Sequence, residues 1–321
     1  MDLAGKRVLV TGGGGFVGSH LVDRLLEANR VVVADDFSNG RREWVDDRAT
    51  VHAVDLTDSD EVRSIVDSTF DLLVHLAARK DPNDDDPRGQ FADNTTMTHV
   101  VLEAAREAGI DRVAYTSSST VYGEAPRPTP EDYAPLEPIS VYGASKLADE
   151  GLLSTYAHSH GCTVWNFRFA NVVGPRLRGA VIPDFIEKLR ADRETLTILG
   201  DGRQEKSYLH VSDCVDAMCH VIEHAGTVGG DGDDSGNPSG SMHTYNLGTR
   251  TTTSVDRIAE IVCDVLRVDP AFEYTGGDRG WVGDVPRMRL SIEKLSGLGW
   301  SPQLESDAAV RSAAEELASE L

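Results

Sequence analysis

RVLVTGGGGFVGSHL, residues 7–21, is the stretch on which the fold turns. An apolar, β-branched run enters a block of glycines, and a helix-compatible segment follows. Gly12, Gly15 and Gly18 are spaced GxxGxxG at this strand-to-helix turn. Glycine there lets the backbone turn tightly and approach a pyrophosphate, which rests on a helix N-terminus where N–H groups and the dipole favour an anion. A plain tight turn would also account for the glycines, so the context matters. The next apolar run, VVVADD (31–36), ends in an acid, Asp35. A carboxylate there would take both hydroxyls of an adenosine ribose and repel a 2′-phosphate. The expectation is NAD rather than NADP, with Arg41 and Arg42 nearby as the opposing feature.

Outward from this unit the pattern repeats. TVHAVDL (50–56), DLLVHLAA (71–78), RVAYTSSS (112–119) and CTVWNFRF (162–169) read, with the first two, as six strands. Their near-continuous Val and Leu suit parallel strands buried on both faces. Helical segments at about 15–29, 59–68, 90–108 and 141–160 lie between them. Such alternation predicts an α/β, Rossmann-type doubly wound parallel sheet. After GPR (174–176) the pattern changes, with helices at 181–193 and 254–266 and a strand and turn at 196–202. These predict a smaller C-terminal α/β substrate domain from about 175–204 and 251–321. The cofactor domain would take 1–174 plus about 205–250. GTVGGDGDDSGNPSG (226–240) has no periodicity and reads as a disordered surface insertion.

Composition sets limits on partners. The 321 residues carry 31 Lys+Arg against 53 Asp+Glu, a net charge of −22. That excludes nucleic acid or an anionic membrane surface as main partner, since a phosphate backbone needs a positive footprint. No run of 18 apolar residues appears, and residues 1–10 are too short for an apolar signal core. A soluble, cytoplasmic protein is expected, its four cysteines as reduced core thiols and no metal site. Aspartate is scattered along the chain and lysine is scarce. A salt-adapted (halophilic) protein is the expectation, because high salt screens the self-repulsion of such a surface.

Tyr142 and Lys146, in VYGASKLADE, are four residues apart and share one helix face. No other tyrosine here has a lysine four residues on. An ammonium beside a phenol favours the phenolate, and a nicotinamide cation would add to that, giving a base usable near neutral pH. Upstream, SSSTVYG places hydroxyls at the carboxyl edge of the sheet, where open α/β folds bind ligands. His75 ends an apolar strand and reads as a satisfied core histidine.

TGGGGFVGSHL, VHLAA, SSSTVYGE, YGASK, RFANVVGPR and YNLG together resemble the extended short-chain dehydrogenase/reductase superfamily. Within it the chain is most similar to the NAD-dependent nucleotide-sugar epimerases and dehydratases, of the UDP-glucose 4-epimerase type. The resemblance implies that Tyr142 is the catalytic base and acid, that Lys146 tunes it and holds the nicotinamide ribose, and that Ser118 hydrogen-bonds the reacting hydroxyl. Cofactor contacts are implied for Phe16 and Val17 in the glycine turn and for Asp55 and Leu56 near the adenine. Leu76 and Ala77 in VHLAA and Lys80 just after it are implied as well, and Asn94 as a brace for the catalytic helix. For the nucleotide sugar it implies Asn171, Val181, Ile198, Lys206, Arg279 and Asp284. On their own residues, Asn94 could simply cap a helix and Asp55 could simply serve a turn. Of six lysines, Lys80, Lys146 and Lys206 fall at matched ligand positions.

Two departures bear on the reaction. Dehydrating and decarboxylating relatives place an acid one or two residues after the catalytic Ser/Thr, where this chain has Ser119 and Thr120. The diphosphate site has Lys206-Ser207 in place of Arg-Asp, and Trp281 where epimerases often carry arginine. Lysine supplies a point charge rather than a bidentate fork. Met288 falls near the residue that limits the sugar's 2-substituent. The expected reaction is NAD-dependent 4-epimerisation of a UDP-hexose through a transient 4-keto sugar, in a homodimer pairing the two long helices. A nucleotide-sugar 4,6-dehydratase, an NAD(P)-dependent sugar-nucleotide reductase and a non-enzymatic dinucleotide-sensing protein are the competing readings.

Overall fold

Val8, Leu9 and Val10 are consecutive and all buried, so both faces of the strand they form are covered. The computed structural model describes residues 1–80, 85–225, 240–280 and 283–321. In chain order the first half runs β1 (Arg7–Thr11), α1 (Phe16–Leu25), β2 (Arg30–Asp35), β3 (Thr50–Ala53), α2 (Ser59–Ile65), β4 (Leu72–His75), α3 (Pro87–Ala108), β5 (Arg112–Ser118), α4 (Val141–His160) and β6 (Thr163–Phe169). Next come β7 (Asn171–Val173), α5 (Val181–Ala191), β8 (Thr195–Ile198), β9 (Glu205–Lys206), β10 (Tyr208–His210) and α6 (Val211–His224). The chain ends with β11 (Ser241–Leu247), β12 (Thr253–Ser254), α7 (Val255–Leu266), β13 (Ala271–Tyr274), β14 (Arg287–Met288), α8 (Glu293–Gly297) and α9 (Ser306–Glu320).

Two compact units result. The first comprises residues 1–121, 141–168 and 217–245; the second comprises 122–140, 169–216 and 246–321. The central sheet of the first unit has the order β11-β6-β5-β4-β1-β2-β3. β1 pairs in parallel with both β2 and β4, with Thr11 opposite Ala34 on one side and His75 on the other. The winding therefore reverses between β1 and β4, which opens the crevice at the carboxyl ends where open α/β sheets bind ligands. Under the sheet, Leu9, Leu73, Val113 and Val164 pack with Val101 and Leu102 of α3 and Leu153 of α4. Burying each such side chain contributes roughly 1.5–3 kcal/mol. The seventh strand, β11, falls outside the six apolar runs of the sequence. It is only partly buried over Ser241–Thr244, as suits a sheet edge, and so lacks a continuous apolar signal.

The second unit is built from short pieces. β7 pairs with β10, β8 with β13, and β9 with both β12 and β14. Helices α5, α7 and α9 pack on one another. Ser254 caps α7 by accepting the Arg257 N–H at 3.1 Å, a contact whose loss costs about 1 kcal/mol. Residues 169–174, 205–216 and 246–250, which the sequence reading placed with the cofactor domain, belong to this unit, and so do residues 122–140. The reason is side-chain hydrogen bonding: Tyr122 Oη donates to Asn246 Oδ1 at 2.8 Å, and Asn246 Nδ2 donates to the Thr129 carbonyl at 3.0 Å. Cys162, Cys214, Cys219 and Cys263 are buried thiols outside any disulfide. Of the predicted surface insertion, residues 226–239 lie outside the described residues.

Candidate active site

Four neighbouring strands of the first unit end in polar residues: Thr11 on β1, Asp35 on β2, His75 on β4 and Ser118 on β5. Between β1 and α1 the glycine turn closes on itself. Gly12 has φ +70, and a Cβ there would sit 2.6 Å from the Ala77 nitrogen. At Gly18 a Cβ would fall on the Gly12 carbonyl oxygen. No side chain caps α1, whose N-cap is Gly15 and whose first residues Phe16 and Val17 are half-buried. Its first-turn N–H groups are thus presented to an anion. Asp35 is buried, and burial raises its carboxyl above the usual range. Its oxygens accept the Gly14 and Phe37 N–H groups, each at 2.8 Å. The acid is therefore tied to the glycine turn by a direct hydrogen bond. Arg41 and Arg42 pair with Glu43 at 3.6 Å and Asp47 at 3.3 Å. A close-approach cradle, an uncapped helix end and a fixed carboxylate fit a dinucleotide such as NAD.

Tyr142 and Lys146 lie on the first turns of α4 in the same unit. Lys146 is 2% exposed. Its Nζ lies 5.8 Å from the Tyr142 ring centroid and donates to Tyr115 Oη at 3.0 Å. Burial pushes the Lys146 amine down to about 8, against the nearby charges of Asp149 and Glu150. Burial pushes the Tyr142 phenol up, and Asp149 adds to that rise. Without the nicotinamide cation that the sequence expectation included, desolvation governs the phenol, and the ammonium bonds to Tyr115. Ser118 Oγ, half-buried at the end of β5, accepts the Thr120 hydroxyl at 3.0 Å and its N–H at 3.2 Å.

Asn94 joins the segment after β4 to α4. Its Oδ1 accepts the Arg79 N–H at 2.7 Å, and its Nδ2 donates to Ser145 Oγ at 3.1 Å. Leu76 and Ala77 are half-buried in that segment and Lys80 is exposed. Asp55 is exposed and accepts the Thr57 N–H and hydroxyl at 2.8 and 2.7 Å, while Leu56 beside it is buried. His75 is 2% exposed and bonded to Thr11 Oγ1 at 2.6 Å and Thr98 Oγ1 at 3.2 Å. Burial holds its ring neutral, down to about 3.

In the second unit, Lys206 Nζ lies 2.5 Å from Asp284 Oδ1, and Asp284 Oδ2 accepts the Gly280 N–H at 3.0 Å. Arg279 donates to the Asp284 carbonyl at 2.6 Å and to Glu124 at 2.5 Å. Both expected diphosphate cations therefore hold carboxylates already. Asn171 opens β7 opposite Tyr208, and Met288 is buried opposite Lys206. Val181 begins α5 and Ile198 ends β8. Trp281 lies outside the described residues. Sequence reading missed Glu124 as the Arg279 partner, and Tyr115 and Asp149 behind Lys146. Asp149, three residues after Lys146 on the same helix, was the legible signal.

A model of the NAD dependent epimerase/dehydratase family matches residues 8–237. A UDP-glucose 4-epimerase of Mycolicibacterium smegmatis is 34% identical over 313 residues, covering 93% of this chain and 94% of the relative. The crystal structure of a UDP-galactose 4-epimerase superposes with a TM-score of 0.86 at 42% identity, over 98% of this chain and 99% of the other. A UDP-glucose 4-epimerase of Thermotoga maritima, solved with UDP-glucose, superposes with a TM-score of 0.85 at 28% identity, over 98% and 99%.

Proposed function

The chain belongs to the NAD dependent epimerase/dehydratase family, and from that premise we propose that it interconverts the C4 epimers of a UDP-hexose of the glucose/galactose type. The observation that carries this reading is the Tyr142–Lys146 pair on α4, in the unit that also holds the glycine turn and Asp35. Gly12, Gly15, Gly18 and the first turn of α1 would hold the pyrophosphate, and Asp35 the adenosine ribose. When bound, NAD supplies a reversible hydride acceptor for sugar C4, so that oxidation and re-reduction cancel over one cycle.

Tyr142, as phenolate, takes the proton of the 4-hydroxyl at Oη while the C4–H bond breaks, leaving a 4-keto sugar. It returns the proton to the 4-oxygen once the hydride is back on the opposite face of C4. Proton and hydride are both restored, so the net reaction is an isomerisation. Ser118 hydrogen-bonds the 4-oxygen, and the Lys146 charge offsets the burial that holds Tyr142 protonated. In the second unit Lys206 and Arg279 would serve the diphosphate, with Asn171, Val181, Ile198 and Asp284 as further substrate contacts. Elimination of a 6-hydroxyl needs a positioned acid and base. Ser119 and Thr120 supply no carboxylate after Ser118, and the Thr120 hydroxyl is bonded to Ser118.

The working form we propose is a cytoplasmic, salt-adapted homodimer pairing α3 and α4 with their copies. Support comes from the −22 net charge and from Phe91 of α3, which is 39% exposed. Sedimentation in high salt tests the dimer.

For the reaction, the purified protein is incubated in high salt with UDP-glucose or UDP-galactose and the products are resolved. Either sugar should yield the same mixture of the two without bulk NADH accumulating. Tyr142→Phe should lose at least about 100-fold in kcat and still bind NAD. A 4-keto-6-deoxy product, or stoichiometric consumption of NAD(P)H, would refute 4-epimerisation. An active Tyr142→Phe would refute the role of Tyr142.

A further inference from the structure

Lys146 is a buried ammonium, and a hydrogen-bonded carboxylate is reached from it through another side chain. Its Nζ donates to Tyr115 Oη at 3.0 Å, and Tyr115 Oη donates onward to Asp149 Oδ2 at 2.6 Å. Tyr115 on β5 is 0% exposed and Asp149 on α4 is 1% exposed. Burial raises the Asp149 carboxyl, and the Lys146 charge together with hydrogen bonds from Tyr115 and from Thr98 of α3 act against that rise. The next carboxylate along α4, Glu150, is engaged elsewhere. It accepts Arg168 at 2.9 and 2.6 Å and Ser117 Oγ at 2.6 Å. An unpaired buried charge is costly, so the charge balance of Lys146 falls to Asp149.

We propose that Tyr115 and Asp149 are positioning residues for the catalytic pair: Asp149 keeps Lys146 charged, and the Tyr115 hydroxyl fixes one ammonium N–H so that the others face Tyr142. This rests on the reading of Tyr142 and Lys146 as that pair. Among the described residues, ionisable groups around Lys146 are Tyr115 from β5, Tyr142, Asp149 and Glu150 from α4, His75 from β4 and Lys80 from the segment after it. His75 is held neutral, and Lys80 opposes the Lys146 charge. Asp149 raises the proton affinity of both Lys146 and Tyr142. Removing its charge must therefore lower both, displacing both limbs of the activity profile toward acid.

The test uses the full chain with NAD and UDP-galactose. Asp149→Asn should move the kcat–pH profile to lower pH by about one unit or more, with KM changed less than about threefold. In the cofactor-free protein, the Tyr142 phenolate, read as the ultraviolet titration of the wild type minus that of Tyr142→Phe, should form at lower pH when Asp149→Asn is added to both. Tyr115→Phe keeps the charge and loses the bridge, so kcat should drop about tenfold without a comparable displacement. Should Asp149→Asn fail to fold, Tyr115→Phe/Asp149→Val removes both polar partners together, leaves no orphaned group between them, and should show the displaced profile. A profile that superimposes on the wild type, or a uniform loss of kcat without displacement, overturns the proposal. Activity surviving Tyr142→Phe would instead defeat the functional reading beneath it.

Discussion

Lys206 Nζ lies 2.5 Å from Asp284 Oδ1, with 14% and 2% of the two side chains exposed. The cation expected to meet the substrate diphosphate thus also neutralises a carboxylate of its own unit. Lys206→Met would leave Asp284 charged, buried and without its cation. We expect a loss of about 3–5 kcal/mol in urea denaturation, together with weaker substrate binding. Replacing the pair by Lys206→Met/Asp284→Leu should recover most of the stability but not the activity. An undiminished denaturation midpoint in the single variant would show that the pair contributes nothing to the fold.

The glycine turn makes a steric prediction. A methyl at Gly18 would fall on the Gly12 carbonyl oxygen, which is backbone and cannot swing aside. Gly18→Ala should therefore displace the turn, lowering the thermal midpoint and weakening NAD binding at least about tenfold. Fluorescence titration with the cofactor and calorimetry measure the two effects. Binding at wild-type strength would mean that the cradle is not the cofactor site.

His75 makes a prediction about pH. Its ring is held down to about 3 by burial, against an ordinary value of 6.5. Between these values the unfolded chain binds a proton that the folded chain does not. Stability should therefore fall as pH is lowered through that window, by up to about 1.4 kcal/mol per pH unit from this group alone. Urea denaturation of the wild type and of His75→Gln isolates it. The variant should be less stable at pH 8 and have a shallower slope between pH 6.5 and 4. Parallel slopes would remove His75 from the balance.

Net charge makes the fourth. At −22 the folded chain repels itself at low ionic strength, and screening by salt relieves that repulsion. Many of its arginines sit in half-exposed pairs such as Arg63–Glu107 at 2.8 Å, which individually stabilise little. Raising potassium chloride from about 0.1 to about 2 M should lift the thermal midpoint by several degrees. A flat or falling midpoint would argue against salt adaptation.

The apolar runs at 7–12, 31–36, 71–78, 112–119 and 162–169 made the parallel sheet legible, because strands covered on both faces need continuous Val and Leu. Those signals are local. β11 was not legible, since an edge strand with a polar first half carries no such run. Residues 122–140 were misplaced for a related reason. Their membership in the second unit depends on Asn246 and Leu290, more than 100 residues away.

By itself the sequence determined the motif positions: Gly12, Gly15 and Gly18 at a turn, Asp35 after a strand, and Tyr142 and Lys146 one helical turn apart. Each is a matter of spacing within one element, and backbone geometry converts spacing into a shared face or a shared edge. Tertiary structure decided what surrounds those groups. It set Lys146 on Tyr115 rather than on Tyr142, closed Asp149 behind both, and gave Lys206 and Arg279 carboxylates of their own. Burial and partner choice govern proton affinity, and both arise from residues distant in the chain. Spacing therefore fixed which groups are present, and packing fixed the charge each one carries.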